Sequence, residues 1–215
     1  MNSDVRKKVE AFFEGRPERR FAKGDMVAFA HEDHSAVLYL REGVVEQYDI
    51  TPEGNKVTVN MFKPPAFFPM SWALNGTRNT YFFSALTDIR AAEASPEETK
   101  KFLEENADVA VDLLSRVYKG TDGLLRRLVL ASSGLASTRL IFELIIEAYR
   151  FGTPQKDGRV LVKVQRGSLA ARAGLARETV SRELHRLEAA GLAELVRGGV
   201  LVYIETLEAR LEFSI

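Results

Sequence analysis

Between residues 168 and 190, apolar positions recur at helical spacing in two short runs that are separated by a glycine. This spacing predicts two amphipathic helices, and Gly174 permits a tight turn between them. The side chains predicted to be buried are Leu169, Ala170, Ala173, Val180, Leu184 and Leu187. The pattern therefore indicates a hairpin of two short helices.

The other side of the second helix carries long polar side chains, among them Arg177, Glu178 and Arg182. Arginine pairs bidentately with guanine, and a carboxylate accepts a hydrogen bond from the amino group of cytosine. A helix that presents such groups from its N-terminal end is suited to reading the major groove of DNA. The alternative is an ordinary amphipathic hairpin with a solvated, charged face.

Two apolar runs follow the second helix and flank Arg197-Gly198-Gly199. Paired glycines between such runs are typical of a β-hairpin. A further strand is predicted before the first helix, over residues 159–164. Helix, turn, helix and a two-stranded wing together form the winged helix-turn-helix pattern, which favours DNA binding over a solvated hairpin.

The segment VQRGSLAARAGLARETVSRELHRLEAAGLAELVRGGVLVY resembles the DNA-binding domain of the Crp/Fnr family of bacterial transcription regulators. The resemblance places Arg177, Glu178 and Arg182 at base-reading positions and implies a TGTGA-like palindromic half-site. Ala176 stands where the family usually has serine, which removes a cap or a phosphate contact. Contacts to the DNA backbone are expected from Arg166, Ser168, Arg172, Thr179, Ser181 and His185.

Residues 20–95 consist of short β-favouring runs separated by turn residues, with a hairpin predicted at 52–55. Their order resembles the β-roll of cyclic-nucleotide-binding sensor domains. The resemblance implies an α+β fold with an N-terminal double-stranded β-helix (a jelly-roll or β-roll) sensor domain, a long dimerisation helix and a C-terminal winged helix-turn-helix. The expected divisions are residues 1–95, 96–133 and 134–215.

A helix is predicted to start at Ser95-Pro96-Glu97-Glu98, which combines a capping residue, an early proline and acidic residues near the helix N-terminus. Its apolar stripe consists of Val109, Leu113, Val117, Leu124 and Leu128. The stripe can face its own β-roll or a second copy of the chain, and the family's long helix forms the dimer interface. Gly120 and Gly123 either permit close helix approach or mark a bend, and residues 132–134 are predicted to be a hinge.

Family members that bind a cyclic nucleotide hold its phosphate with a Gly-Glu pair and an Arg-Ser pair. Here Phe68-Pro69 stands in place of the first pair, and Asn79-Thr80 in place of the second. We therefore expect no control by cyclic AMP. The aromatic residues of this region either fill the pocket as core or line a site for another small effector. The candidate effector pocket consists of Phe68, Met70, Trp72, Arg78, Asn79 and Thr80.

The charge distribution and the lack of cysteine limit the kinds of site that this chain can form. The net charge is zero, but residues 159–197 carry eight basic and four acidic side chains, as suits a DNA-reading module. The absence of cysteine excludes thiolate metal sites and a cysteine-held iron–sulfur cluster. His31 and His34 lie in a predicted solvated loop, so no metal and no cofactor are expected. No motif of an enzyme is present.

The expected partners are double-stranded DNA, a second copy of the chain and, for an activator, RNA polymerase. A small-molecule effector is left open. No signal peptide and no membrane-spanning segment are recognised, so the expected location is the cytoplasm, with no membrane partner.

Overall fold

The computed structural model describes residues 3–32, 36–132 and 134–211. The chain divides into two compact units, Met1–Thr121 and Asp122–Ile215. Within the described residues, no helix combines the length and the apolar content that crossing a membrane requires.

The first unit is built on two antiparallel sheets of four strands each. The sheets have the strand orders β1-β8-β3-β6 and β2-β7-β4-β5. The strands are β1 Glu18–Phe21, β2 Met26–Ala28, β3 Val37–Glu42, β4 Val45–Ile50, β5 Lys56–Phe62, β6 Ala66–Phe68, β7 Phe82–Ala85 and β8 Ile89–Ala94. The predicted hairpin at 52–55 joins β4 to β5, where Ile50 lies opposite Lys56.

Strand β3 is buried on both faces, and this double burial organises the first unit. Leu38 and Leu40 point into the core shared by the two sheets, whereas Val37 and Tyr39 point to the helices. Since successive side chains of a strand point to opposite faces, one apolar strand serves both cores. The helices of this unit are α1 Ser3–Phe13, α2 Met70–Asn75 and α3 Pro96–Glu105.

The structure divides the segment 96–133 into two helices, where the sequence predicted one. The predicted start is confirmed, because Ser95 and Glu98 form a reciprocal capping box. Helix α3 then ends at Glu105 and is capped by Asn106, whose side-chain amide donates to the Phe102 carbonyl oxygen over 2.9 Å. Helix α4, Ala107–Ser132, follows at once and runs without interruption through Gly120 and Gly123.

The second unit packs helices against an antiparallel sheet with the strand order β11-β12-β10-β9. Its remaining elements are α5 Ala136–Phe151, β9 Thr153–Pro154, β10 Val160–Val162, α6 Arg166–Ala173, α7 Arg177–Ala189, β11 Ala193–Val196, β12 Gly199–Val202 and α8 Ile204–Leu211. The six residues predicted to be buried in α6 and α7 are all buried, and five of them join one core cluster that includes residues of α5, α8 and the sheet.

Candidate nucleic-acid interface

A left-handed glycine sets the turn between α6 and α7. Gly174 has φ of 60° and ψ of 43°, a conformation that costs other residues about 1–2 kcal/mol. The Arg139 guanidinium of α5 donates to the Gly174 carbonyl oxygen over 3.2 Å. The turn is therefore fixed both by its own backbone and by the neighbouring helix.

Helix α7 separates an apolar side from a polar side as the sequence predicted. Val180, Leu184 and Leu187 are buried in the core of the second unit. The base-reading candidates Arg177, Glu178 and Arg182 are exposed, as is the backbone candidate His185, which lies 3.5 Å from Glu188. Of the other backbone candidates, Arg166 is exposed, and Ser168, Thr179 and Ser181 are half-buried.

Arg172 is the exception, because its side chain is only 3% exposed. It lies 3.8 Å from the Glu143 carboxylate and 3.4 Å from that of Glu147, and it donates to Ser168 Oγ over 3.0 Å. In this conformation Arg172 is therefore held inside the protein and is not presented to a phosphate. Position 172 lies three residues after Leu169, on the side of α6 that faces the core.

The pairing of Arg172 belongs to an ion cluster of four residues, in which Glu143, Glu147 and Arg172 are buried and Arg127 is half-buried. Arg127, near the end of α4, donates to both carboxylate oxygens of Glu143, with Nη2 at 3.0 Å from Oε2. Burial raises the pKa of the Glu147 carboxyl above its usual range, against the opposing charge of Arg172. The cluster joins α4, α5 and α6 through charges that water does not reach freely.

The sequence also gave no role to Glu183, which lies on the buried side of α7. Its carboxylate accepts a hydrogen bond from Arg186 over 2.7 Å and lies 3.7 Å from the guanidinium Nε of Arg182. The sequence does contain a sign that Glu183 is paired, because this acidic residue interrupts the apolar side of the helix and lies close to two arginines. Glu183 thus limits where Arg182 can reach.

The predicted wing is present as the hairpin of β11 and β12, with Arg197 exposed at its turn. The backbone N–H of Leu195 donates to the Glu188 carboxylate over 2.9 Å, which ties the wing to the end of α7. Arg159, beside β10, pairs with Asp157 and with Glu194 of the wing. The wing is thereby held to the elements on both of its sides.

In the first unit, aromatic rings pack in the space between the sheets. Phe68 is fully buried, and its ring stacks 5.2 Å from that of Phe62 and 5.4 Å from that of Phe83. Tyr81 packs against the same cluster. The interpretation of these rings as core therefore holds for Phe68, the residue that stands where a phosphate-binding pair would begin.

Asn79, which the resemblance aligns with the phosphate-binding arginine, is bound to the backbone. The residue is only 4% exposed. Its side-chain amide donates to the carbonyl oxygens of Phe29 and Tyr81 over 3.1 and 2.6 Å. Its oxygen accepts from the Tyr81 N–H over 3.1 Å. All three contacts fix the path of the loop before β7.

The remaining residues of the candidate effector pocket lie in different surroundings. Met70 packs against the helix-facing core rather than the core between the sheets, and Trp72 is half-buried. Arg78 and Thr80 are exposed on either side of buried Asn79. The described contacts thus do not gather the six residues around one point.

The apolar stripe of α4 also divides. Val109 is fully buried in the helix-facing core and Leu113 packs against it, so the assignment of these two to a dimer surface is not supported. Val117, Leu124 and Leu128 are exposed. Further exposed apolar residues of α4 are Val111, Leu114, Tyr118, Leu125 and Val129. The structure therefore leaves an apolar surface only on the part of the stripe beyond Leu113.

The predicted loop with two histidines is described in part. His31 is exposed, with φ of 64°, whereas His34 lies outside the described residues. Over residues 3–32, 36–132 and 134–211, no group of three histidine, aspartate or glutamate side chains is placed to hold a metal ion.

Two family models match this chain. The model of the cyclic nucleotide-binding domain matches residues 18–106, and that of the Crp-like helix-turn-helix domain matches residues 138–210. The first range contains both sheets of the first unit. The second contains α6, α7 and the wing.

One related sequence and two solved structures are similar to this chain over most of its length. The transcriptional regulator SdrP of Thermus thermophilus is 28% identical over 155 residues, which is 70% of this chain and 70% of that protein. A solved CRP/FNR-family transcriptional regulator of Thermus thermophilus gives a TM-score of 0.73 at 22% identity, over 92% of this chain and 99% of that one. A CooA mutant from Carboxydothermus hydrogenoformans gives a TM-score of 0.80 at 18% identity, over 94% and 90%. The two solved structures share the fold of this chain.

We expect Arg172→Ala to lower the free energy of unfolding by about 3–5 kcal/mol, because it removes the cation beside the buried Glu147 carboxylate and leaves Glu143 with Arg127 alone. The matched change Arg166→Ala removes an exposed arginine from the same helix and should change it by less than about 0.5 kcal/mol. Urea denaturation followed by far-ultraviolet circular dichroism measures both. Equal effects of the two substitutions would contradict the role given to the ion cluster.

Proposed function

Because this chain belongs to the Crp/Fnr family of transcription regulators, we propose that it acts as a homodimer, reads a pseudo-palindromic DNA site and needs no cyclic AMP. The observation that carries the proposal is the row of Arg177, Glu178 and Arg182 on the exposed side of α7. The opposite side of this helix is anchored in a core, so the row is presented from a fixed support. The proteins of known role described above are regulators, and a regulator is favoured over an enzyme.

In this proposal, α7 enters the major groove and its first turns contact base edges. Arg177 and Arg182 pair with guanines, and Glu178 accepts from a cytosine. Arg166, Ser168, Thr179, Ser181 and His185 remain candidates for the DNA backbone, from which Arg172 is withdrawn because it is buried. The excess of basic residues over 159–197 favours approach to the phosphates.

Dimerisation is supported by the exposed apolar residues of α4. A run of such side chains over four turns is more than a monomeric surface helix normally exposes. Residues 114, 117, 121, 124 and 128 follow the alternating spacing of three and four that pairs helices in coiled coils. A second copy of α4 is the partner proposed, since two recognition helices are needed to read a two-fold symmetric site.

Independence from cyclic AMP is supported by what occupies the phosphate positions. A phosphate needs donors such as the fork of an arginine. Here Phe68 contributes a ring packed on other rings, and the amide of Asn79 is occupied by the backbone. The alternative function is a ligand-gated regulator whose β-roll binds a cyclic nucleotide or another small effector, which the match to the cyclic nucleotide-binding model favours.

Selection of bound DNA from a random library, without ligand and at fixed salt, should enrich a two-fold symmetric site. Arg182→Ala should then weaken binding to that site by about 5- to 100-fold and relax one base position, because one bidentate contact is lost. Arg210→Ala removes the same charge from α8, where no candidate contact lies, and should bind like the unchanged chain. Unchanged binding by the Arg182 variant would contradict its role, and no enriched site would contradict the proposal.

Leu128→Glu should weaken self-association at least about tenfold, because an unpaired charge would be buried where two α4 helices meet. Leu128 is 64% exposed in the single chain, so the substitution should leave the fold intact. Leu74→Glu places the same charge on an exposed leucine of α2 and serves as the control. Sedimentation equilibrium measures both, and equal dimer stability in the two variants would contradict the α4 interface.

Calorimetric titration with cyclic AMP and cyclic GMP should give no saturable heat at micromolar ligand, since Phe68 is packed on other rings and the Asn79 amide is bound to the backbone. The same protein preparation should first bind its selected DNA site, which shows that the protein is folded and active. A saturable heat would favour the ligand-gated alternative.

A further inference from the structure

Gly167, the second residue of α6, lies against the base-reading candidate Arg177. A Cβ atom built on Gly167 would lie 3.1 Å from both Nε and Nη2 of Arg177 and 3.2 Å from Cζ. These distances are tighter than about nine in ten real Cβ contacts, so a Cβ atom here would require the guanidinium to shift by a few tenths of an ångström. The guanidinium of Arg177 therefore occupies the space that a side chain at position 167 would need.

The backbone does not require a glycine at this position. Gly167 is helical and has no positive φ, in contrast to Gly174, so any residue could adopt its conformation. Glycine is also less favourable than alanine within a helix, which makes its presence a local cost. Gly120 and Gly123 of α4 differ, because an added Cβ would meet no atom within 4 Å. Gly167 is thus a helical glycine whose missing Cβ atom makes room for the Arg177 guanidinium.

The Arg177 guanidinium packs against Gly167, and this contact restricts its position. In the part of the chain that the structure describes, no carboxylate or carbonyl oxygen holds it, whereas Arg182 has Glu183 beside it. A long side chain without such a partner samples many rotamers, and ordering it on binding costs free energy. Resting on α6 restricts Arg177 before DNA arrives.

We propose that Gly167 is a positioning residue that determines specificity. Because it has no side chain, it leaves space for the Arg177 guanidinium in the position from which that group binds its base. This inference rests on the proposed function, since it needs Arg177 to read DNA. A methyl group at position 167 displaces the guanidinium from the bare Cα. Bidentate pairing depends on the direction of both N–H groups, so a small displacement weakens the specific contact while phosphate contacts persist.

A double-mutant cycle tests the proposal. Gly167→Ala should weaken binding to the selected site by about 3- to 30-fold and relax the base position that Arg177→Ala also relaxes. In the Arg177→Ala background, Gly167→Ala should change affinity by less than about twofold. Within each background, Gly167→Ala should leave binding to unrelated DNA unchanged, because it alters no charge. The melting temperature of Gly167→Ala should not fall, because alanine favours the helix.

Two outcomes would overturn the proposal. An equal loss in both backgrounds would mean that position 167 acts through close approach to the DNA backbone rather than through Arg177. An unchanged affinity and preference in Gly167→Ala would mean that the guanidinium is not positioned by the glycine.

A second readout needs no DNA. The Nε–Hε resonance of Arg177, assigned by its loss in Arg177→Lys, should shift in the Gly167→Ala protein, and an unchanged resonance would overturn the contact. If the unchanged chain enriches no DNA site, the proposed function fails, and with it any role of Gly167 in specificity. The resonance then still shows whether the contact itself exists, so the two failures are distinguishable.

Discussion

The ion pairs among Arg127, Glu143, Glu147 and Arg172 are the interaction on which the second unit depends. Removing charged groups from water is costly, and each charge stays buried only while its partners remain in place. Because the four residues come from α4, α5 and α6, none of these helices can move away alone without exposing or orphaning a charge. The hairpin of α6 and α7 is thus supported by electrostatics as well as by apolar packing.

This constraint links the end of α4 to the hairpin of α6 and α7. Helix α4 carries the exposed apolar side chains, and α6 supports α7 through the Gly174 turn. Arg127 is close to the end of α4, and Glu143 holds it by two hydrogen bonds. A change in the end of α4 must therefore be accommodated by α5, which also contacts the turn through Arg139. The same residues that stabilise the unit also limit how freely α7 can be reoriented.

The sequence predicted the helix-turn-helix and the wing because both follow from local patterns, namely apolar spacing and glycine turns. It misjudged Arg172 because residue type was given more weight than position, although the spacing from Leu169 already indicated the core side. It also could not divide the α4 stripe, since the same helical spacing serves an internal core at Val109 and an exposed face at Leu128. The contacts of Asn79 join it to Phe29, 50 residues away, and such pairs leave no periodic signal.

The position of Asn79 also bears on how this β-roll can change over time. An arginine in its place would leave the carbonyl oxygens of Phe29 and Tyr81 and one N–H without their present partner, at about 1–3 kcal/mol for each group left unsatisfied. Phe68 would still fill the space with its ring. A stepwise route toward an anion-binding roll therefore passes through proteins that are less stable before they gain a ligand. Substitutions among the rings of the interior leave these hydrogen bonds in place, so the apolar interior of this roll tolerates change more readily than position 79 does.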